Sequence, residues 1–331
     1  MMKAVSMMKA ILCKTLGGAE SLVLEDIAVP EPQAGDVLIR VKAAALNFLD
    51  TLILRGKYQF KPDLPFSPGS EIAGVVERVG DGVDAFAPGD RVMGYARFNG
   101  CREYIVLPVK GLLAIPDGVS DEAASGLTIT YGTAIHGLTD RGRLKPGETL
   151  AVLGASGGAG LAAVEIGKAL GARVIACASS AEKLAICAQH GADALLNYDS
   201  EDVKEGLRAL TDGAGPDVIY DCVGDRYTEP ALRSIAWAGR YLVIGFAAGE
   251  IPRIPLNLLL LKGCEMAGVF FGRFTELEPE GHARNMHQLL TWCQDGTLRP
   301  HIGKIFPLEE TAQAVAMLEQ RKAVGKIIVR P

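Results

Sequence analysis

The run from Thr149 to Leu161 commits the middle of this chain to a strand, a tight turn and a helix, in that order. Thr149–Leu153 is an apolar strand, Leu161–Leu170 has the apolar spacing of a helix, and a second strand, Arg173–Ala178, follows through Gly171. Between strand and helix lies Gly154-Ala155-Ser156-Gly157-Gly158-Ala159-Gly160, in which Ala155, Gly157 and Gly160 give A-x-G-x-x-G. This is a one-residue variant of the dinucleotide fingerprint, and its context is the strand, turn and helix that the fingerprint requires. A glycine at 157 lets backbone approach a pyrophosphate, a glycine at 160 lets the helix pack closely, and the free N–H groups of the helix start attract phosphate. The order Gly-Ala-Ser-Gly-Gly over 154–158 breaks the G-x-S-x-G pattern of a nucleophile turn.

The end of the second strand selects between nucleotides. A site for NAD expects Asp or Glu there, accepting from the ribose hydroxyls. This strand ends Ala176-Cys177-Ala178-Ser179-Ser180, and Lys183 follows. Two hydroxyls and a cation favour a 2′-phosphate, which a carboxylate repels, so the expected cofactor is NADPH. Ser179 and Ser180 also read as caps of the helix that begins at Ala181, with Lys183 as a solvated charge. The two readings are compatible.

Around this centre the pattern changes. Residues 9–125 are β-rich, with short alternating segments such as Val37–Val41 and Gly74–Val79 set between Pro and Gly turns. From 126 to 270 strands and helices alternate, the order of a doubly wound parallel sheet, with strands at Thr149–Leu153, Arg173–Ala178, Ala194–Asn197, Val218–Asp221, Tyr241–Ile244 and Glu265–Phe270. Beyond 270 come helices at Pro279–Cys293 and Leu308–Gln320 and a last strand at Lys326–Arg330. The fold class is therefore α/β, with a nucleotide-binding domain over 126–270 inserted in a β-rich domain over 8–125 and 271–331.

A net charge of −5 without any Lys/Arg block argues against nucleic acid as the main partner. Seven cysteines without a C-x-x-C pair suit a reducing, cytoplasmic setting. The longest apolar run, Leu256–Leu261, is too short to span a membrane. Met-Lys-Ala recurs at 2–4 and 8–10, so residues 1–7 read as a dispensable upstream start without a signal peptide.

Asn47-Phe48-Leu49-Asp50, Pro68-Gly69-Ser70-Glu71, Pro88-Gly89-Asp90-Arg91-Val92, Gly132-Thr133-Ala134 and the turn at 155–160 stand in the order that resembles the medium-chain dehydrogenase/reductase superfamily. The resemblance covers the chain from Met8. It implies a GroES-like catalytic domain around a Rossmann domain, with the active site in the cleft between them. Zinc enzymes of that superfamily carry Cys and His where this chain has Asn47 and Ser70. Ser125–Ile129 supplies no third such ligand, and Cys101 stands alone where a structural zinc lobe has four cysteines. Carboxamide and hydroxyl do not replace thiolate and imidazole, so no metal is expected. Glu71 reads as a buried structural carboxylate.

The zinc-free branch with this turn resembles the NADPH:quinone oxidoreductases. Asn47–Thr51 and Arg55-Gly56-Lys57-Tyr58 follow their active-site segment, although Leu52 stands where a second tyrosine is common. Arg233–Trp237 and Leu258–Gly263 are similar to a quinone oxidoreductase-like subgroup. The resemblance implies Asn47 beside the nicotinamide ribose and Tyr58 orienting a carbonyl or quinone oxygen. It places Thr133 on the nicotinamide carboxamide, and Lys183 with Tyr198 around the 2′-phosphate. Val223 and Gly224 are expected near the adenine ribose, Phe246, Ala247, Val269, Phe270 and Phe271 near the nicotinamide, and Arg321 toward the phosphate end. A looped Asn47, a core Tyr58, a helix-end Thr133 and a surface Arg321 remain the plainer alternatives.

The expected reaction is hydride transfer from NADPH to a quinone or related enone, without metal. An enoyl or alkenal double-bond reductase is the alternative within the fold, and an NADPH-binding structural or regulatory protein is the alternative of another kind. Family likeness and the apolar last strand, Glu265–Phe270, imply a homodimer.

Overall fold

The structure is a computed structural model and describes residues 6–331. It consists of two compact units: one contains the chain up to Thr128 together with His301–Pro331, and the other is Ile129–Pro300. The strands, in chain order, are β1 Met7–Cys13, β2 Leu22–Ala28, β3 Asp36–Leu46, β4 Glu71–Val79, β5 Arg91–Tyr95, β6 Tyr104–Pro108 and β7 Leu112–Ala114. The second unit holds β8 Thr149–Leu153, β9 Arg173–Ala178, β10 Ala194–Asn197, β11 Val218–Asp221, β12 Arg240–Val243 and β13 Glu265–Gly268. The chain ends with β14 Ile302–Pro307 and β15 Lys326–Arg330.

In the first unit the long strand β3 is the hub. It pairs antiparallel with β4, β6 and β15, within a sheet ordered β14-β15-β3-β4-β5-β7. Strands β1 and β2 form a separate antiparallel ladder. The alternating apolar residues of these strands, Val37, Ile39 and Val41 of β3 with Ile72, Val92, Ile327 and Val329, fall into one core. Burial of that face fixes the register, since a slip by one residue would turn it to water.

The second unit is a six-stranded sheet ordered β10-β9-β8-β11-β12-β13, and every pairing in it is parallel. The chain leaves β8 on one side for β9 and β10, then returns to the other side for β11 to β13. That reversal opens a crevice at the carboxyl end of β8, the ligand site of such sheets.

The second unit extends beyond the expected limit of 270. Residues 271–300 belong to it because Phe271 packs against Gly132, where a Cβ would lie 2.7 Å from the Phe271 ring, and Phe274 stacks on His136 at 3.7 Å. The helix Pro279–Gln294 adds Met286, Leu289 and Leu290 to its buried side chains. Met7 opens β1 opposite Ala28, so the segment read as dispensable contributes a strand residue, while Met1–Val5 lie outside the described residues. Among the described residues no helix is long and apolar enough to cross a membrane.

Candidate active site and nucleotide-binding turn

Three of the four glycines in the turn do different work. Gly154 has φ +74°, and a Cβ there would meet Val223 Cγ2 at 2.8 Å, so both backbone and space call for glycine. A Cβ on Gly160 would lie 2.2 Å from the Gly154 carbonyl oxygen and 2.6 Å from Ala155 Cα. Only glycine lets the helix Gly158–Ala169 rest on the backbone of the turn. Gly157 differs from both. Its φ of −76° and ψ of 169° suit any residue, and a Cβ would meet nothing nearer than the Gly154 oxygen at 3.6 Å. The fold itself does not ask for glycine there. Its bareness leaves room in front of a helix N-terminus whose first N–H groups lack intrahelical acceptors, a cradle that fits a dinucleotide pyrophosphate. Ala155 and Ser156 are buried beneath this space, and Gly158 and Ala159 are the first helical residues.

At the tip of β9, Ser180 caps the helix Ala181–Gln189 by accepting from the Lys183 N–H at 3.3 Å, while Lys183 Nζ donates to Ser179 Oγ at 3.1 Å. Of the two expected caps, Ser180 is the one that caps the helix, and Ser179 instead receives the Lys183 ammonium. The Tyr198 N–H donates to the Ala178 carbonyl at 3.1 Å, which brings Tyr198 to the same strand end, and its ring packs on Tyr227 at 4.6 Å. The loop after β11 is set by a residue the sequence reading passed over. Buried Asp221 accepts from the N–H groups of Val223 and Gly224 at 2.8 and 3.0 Å, and from Thr228 and Tyr241 hydroxyls at 2.9 and 2.7 Å. A lone carboxylate closing the apolar strand Val218–Asp221 was the available signal.

Phe246 touches Gly224, where a Cβ would lie 2.7 Å from its ring, and the Ala247 N–H donates to the Cys222 carbonyl at 3.1 Å. Val269 and Phe271 are buried, whereas Phe270 is exposed. Phe271 lies beside Gly132, the neighbour of buried Thr133. Arg321 is in the first unit, exposed and in left-handed backbone at φ +56°, just past the helix Thr311–Glu319.

In the first unit, β3 ends at Leu46 and Asn47 caps the helix Phe48–Leu54. The Asp50 carboxylate reaches back to accept from the Asn47 N–H at 2.7 Å, the return half of a capping box. Its other oxygen accepts from the Gly69 N–H at 3.1 Å and Ser70 Oγ at 2.6 Å. Burial outweighs these donors and the nearby Lys326, so the Asp50 carboxyl is pushed up to about 6. The Asn47 carboxamide turns to a second buried group. Its Nδ2 donates to Glu71 Oε1 at 2.9 Å, and its Oδ1 accepts from Lys326 Nζ at 2.6 Å. Lys326 Nζ also donates to Glu71 Oε1 at 2.7 Å, with 2% of the lysine side chain and none of the glutamate exposed. Tyr58 is half-buried against the core of this unit, and its hydroxyl is raised above the usual tyrosine value by burial and then by Asp50. It is therefore a neutral donor near pH 7. Lys326, 279 residues from Asn47 in the chain, was absent from the sequence reading because its charge looks like any strand-start lysine.

These donors do not fit zinc. The carboxamide at 47 and hydroxyl at 70 are poor ligands, and the ammonium of Lys326 already neutralises Glu71 from within hydrogen-bond reach. Among the described residues no three His, Cys, Asp or Glu side chains converge on a metal position.

Residues 33–117 match the family model described as the alcohol dehydrogenase GroES-like domain, and residues 158–290 match that described as zinc-binding dehydrogenase. The chain is 38% identical to quinone oxidoreductase-like protein 2 of Bos taurus, over 97% of this chain and 92% of the relative. Its structure superposes on a mycobacterial protein complexed with NADPH at TM-score 0.91 and 31% identity, covering 98% of this chain and 100% of the other. It superposes on Escherichia coli quinone oxidoreductase complexed with NADPH at TM-score 0.91 and 27% identity, again over 98% and 100%. The GroES-like sheet, the parallel six-stranded sheet and these likenesses lead to one conclusion: the chain is an oxidoreductase of the medium-chain dehydrogenase/reductase superfamily and belongs with its quinone oxidoreductase-like members.

Proposed function

We propose that the protein reduces quinones, or closely related electrophilic carbonyls, with NADPH and without zinc. The observation that carries this reading is the chemistry of the first unit's site. Where zinc relatives place a metal ligand, this chain offers a carboxamide N–H at Asn47, and Tyr58, later in the same segment, adds a neutral hydroxyl; both suit a developing oxyanion. Bound NADPH supplies a hydride from the nicotinamide C4. The chain's share of the work is to hold, orient and donate. The backbone at Gly157 and the N–H groups that open the helix at Gly158 receive the pyrophosphate, and Ser179, Lys183 and Tyr198 take the 2′-phosphate. Val223 and Gly224 approach the adenine ribose, Thr133, Phe246, Ala247, Val269, Phe270 and Phe271 border the nicotinamide, and Arg321 reaches toward the phosphate end. Asn47 and Tyr58 donate to the substrate oxygen, and Tyr58 gives up the proton that completes reduction to the hydroquinone level.

A homodimer belongs to the same proposal. Among the described residues strand β13 has a neighbour only in β12, and Trp237, Leu256, Leu260 and Leu261 of the second unit are exposed apolar side chains. The test of the function is NADPH-dependent turnover across a panel of quinones, enals and acyl-CoA thioesters, with NADH in parallel. Turnover confined to enals or thioesters would replace the quinone reading by that of a double-bond reductase.

A further inference from the structure

We propose that Lys326 is a positioning residue for the reaction: its buried ammonium fixes and polarises the Asn47 carboxamide, so that one Nδ2–H is presented as a donor. The inference rests on the reading of Asn47 as a donor to substrate.

A carboxamide can rotate by 180° and exchange its oxygen for its nitrogen, which would turn a donor into an acceptor. Here both ends are assigned by charge. Oδ1 faces a cation, Lys326 Nζ at 2.6 Å, and Nδ2 faces an anion, Glu71 Oε1 at 2.9 Å. The lysine closes the ring by donating to the same Glu71 oxygen at 2.7 Å. A flipped amide would set its N–H against the ammonium and its oxygen against the carboxylate, in surroundings where all three residues are buried. With Nδ2 giving one hydrogen to Glu71, its second N–H makes no hydrogen bond among the described residues. A cation on Oδ1 draws electron density from the amide and makes that N–H a stronger donor. The pull of the lysine on Oδ1 thus reaches the reacting oxygen through a carboxamide.

The lysine is built into place. Its backbone N–H donates to the His301 carbonyl at 2.8 Å, and Ile302 pairs with it across β14 and β15. Its stem passes over Gly126, where a Cβ would lie 3.0 Å from Lys326 Cε and 3.1 Å from Cγ. Gly126 has φ −93°, so its backbone is open to any residue, and the lysine stem is what its missing side chain makes room for.

The test uses the full chain labelled with [15N]asparagine, which has five asparagines and hence five side-chain NH2 pairs, that of Asn47 assigned with Asn47→Ala. In the unmutated protein the Asn47 pair shows one slowly exchanging, downfield proton on Glu71 and one that exchanges with water. Lys326→Met should abolish that asymmetry and lower kcat for quinone reduction at least tenfold, while NADPH affinity stays within twofold. If loss of the ammonium beside Glu71 prevents this variant from folding, Lys326→Met/Glu71→Met removes both charges and should fold with the same loss of kcat. A purely structural ion pair predicts the opposite, namely normal kcat once the fold is restored. An unchanged Asn47 pair, or a kcat within twofold of the unmutated protein in whichever variant folds, would overturn the proposal. Absence of quinone turnover in the unmutated protein would instead count against the function, and the Asn47 resonances would still read the positioning.

Discussion

Replacing Gly157 by alanine separates binding from folding, because the surroundings of this glycine ask for nothing inside the protein. The new methyl would find its nearest neighbour, the Gly154 oxygen, at 3.6 Å, ordinary contact distance, and φ of −76° is open to alanine. Loss of glycine flexibility in the unfolded chain stabilises by about 0.4–1 kcal/mol. Alanine is a poorer N-cap than glycine, which costs roughly the same amount. The two effects offset, and thermal unfolding should move little. Gly160→Ala is the contrast. Its methyl would sit 2.2 Å from a backbone oxygen and 2.6 Å from a Cα, with no flexible side chain to yield. The helix must then shift, at a cost of about 1–3 kcal/mol or more. For the cofactor the cause differs: in the proposed binding mode the methyl at 157 stands where the pyrophosphate approaches the N–H groups. Loss of one charge-assisted hydrogen bond, roughly 1.5–3 kcal/mol, weakens NADPH about 10- to 150-fold. Fluorescence titration with NADPH, run beside thermal unfolding, measures both quantities. Gly157→Ala that binds NADPH within twofold of the unmutated protein, or that unfolds as early as Gly160→Ala, would refute the reasoning.

Three further outcomes follow from particular contacts. Lys183→Ala should weaken NADPH by about 10- to 150-fold, the same one-bond loss, and leave NADH unchanged; equal affinity of the unmutated protein for both nucleotides would contradict it. Asp50 carries a folded value of about 6 against an unfolded value of about 3.9, so the folded state holds its proton more tightly. Its contribution to stability is therefore fully present below about 3.9 and is lost as pH rises through about 6, a change of about 3 kcal/mol that Asp50→Asn should remove. Parallel stability curves for the two proteins between pH 4 and 7 would count against it. Leu260 is 80% exposed, and Leu260→Glu should convert a dimer into a 35.0 kDa monomer by light scattering; a monomeric unmutated protein would rule the dimer out.

The second unit was legible because its signals are local. Apolar runs and glycine turns placed β8 to β11 at the same residues in sequence and structure, and β12 and β13 to within one or two. Strand β14 was not legible: Ile302-Gly303-Lys304-Ile305-Phe306-Pro307 mixes polar residues, glycine and proline, and is held by pairing with β15. There Gly303 is required by a crossing that no local pattern reveals, since a Cβ would lie 1.8 Å from the Val324 oxygen. The boundary at 270 failed to foresee 271–300 because Phe271 and Phe274 find their partners, Gly132 and His136, far back in the chain. The same distinction holds at the site. Ser179, Ser180 and Lys183 are neighbours in sequence and were found as a group. The Asn47–Glu71–Lys326 ring joins three separate segments, and only folding brings its lysine to the other two.

The central claim is that this chain moves a hydride from NADPH to a quinone without a metal. Its most direct test is the initial rate of NADPH oxidation with a quinone, in protein of measured zinc content, with and without a strong chelator. The account predicts turnover that needs the quinone, exceeds that with NADH, and is unchanged by the chelator in protein with far less than one zinc per chain. Stoichiometric zinc with activity lost on chelation, or no quinone-dependent oxidation of NADPH at all, would contradict it.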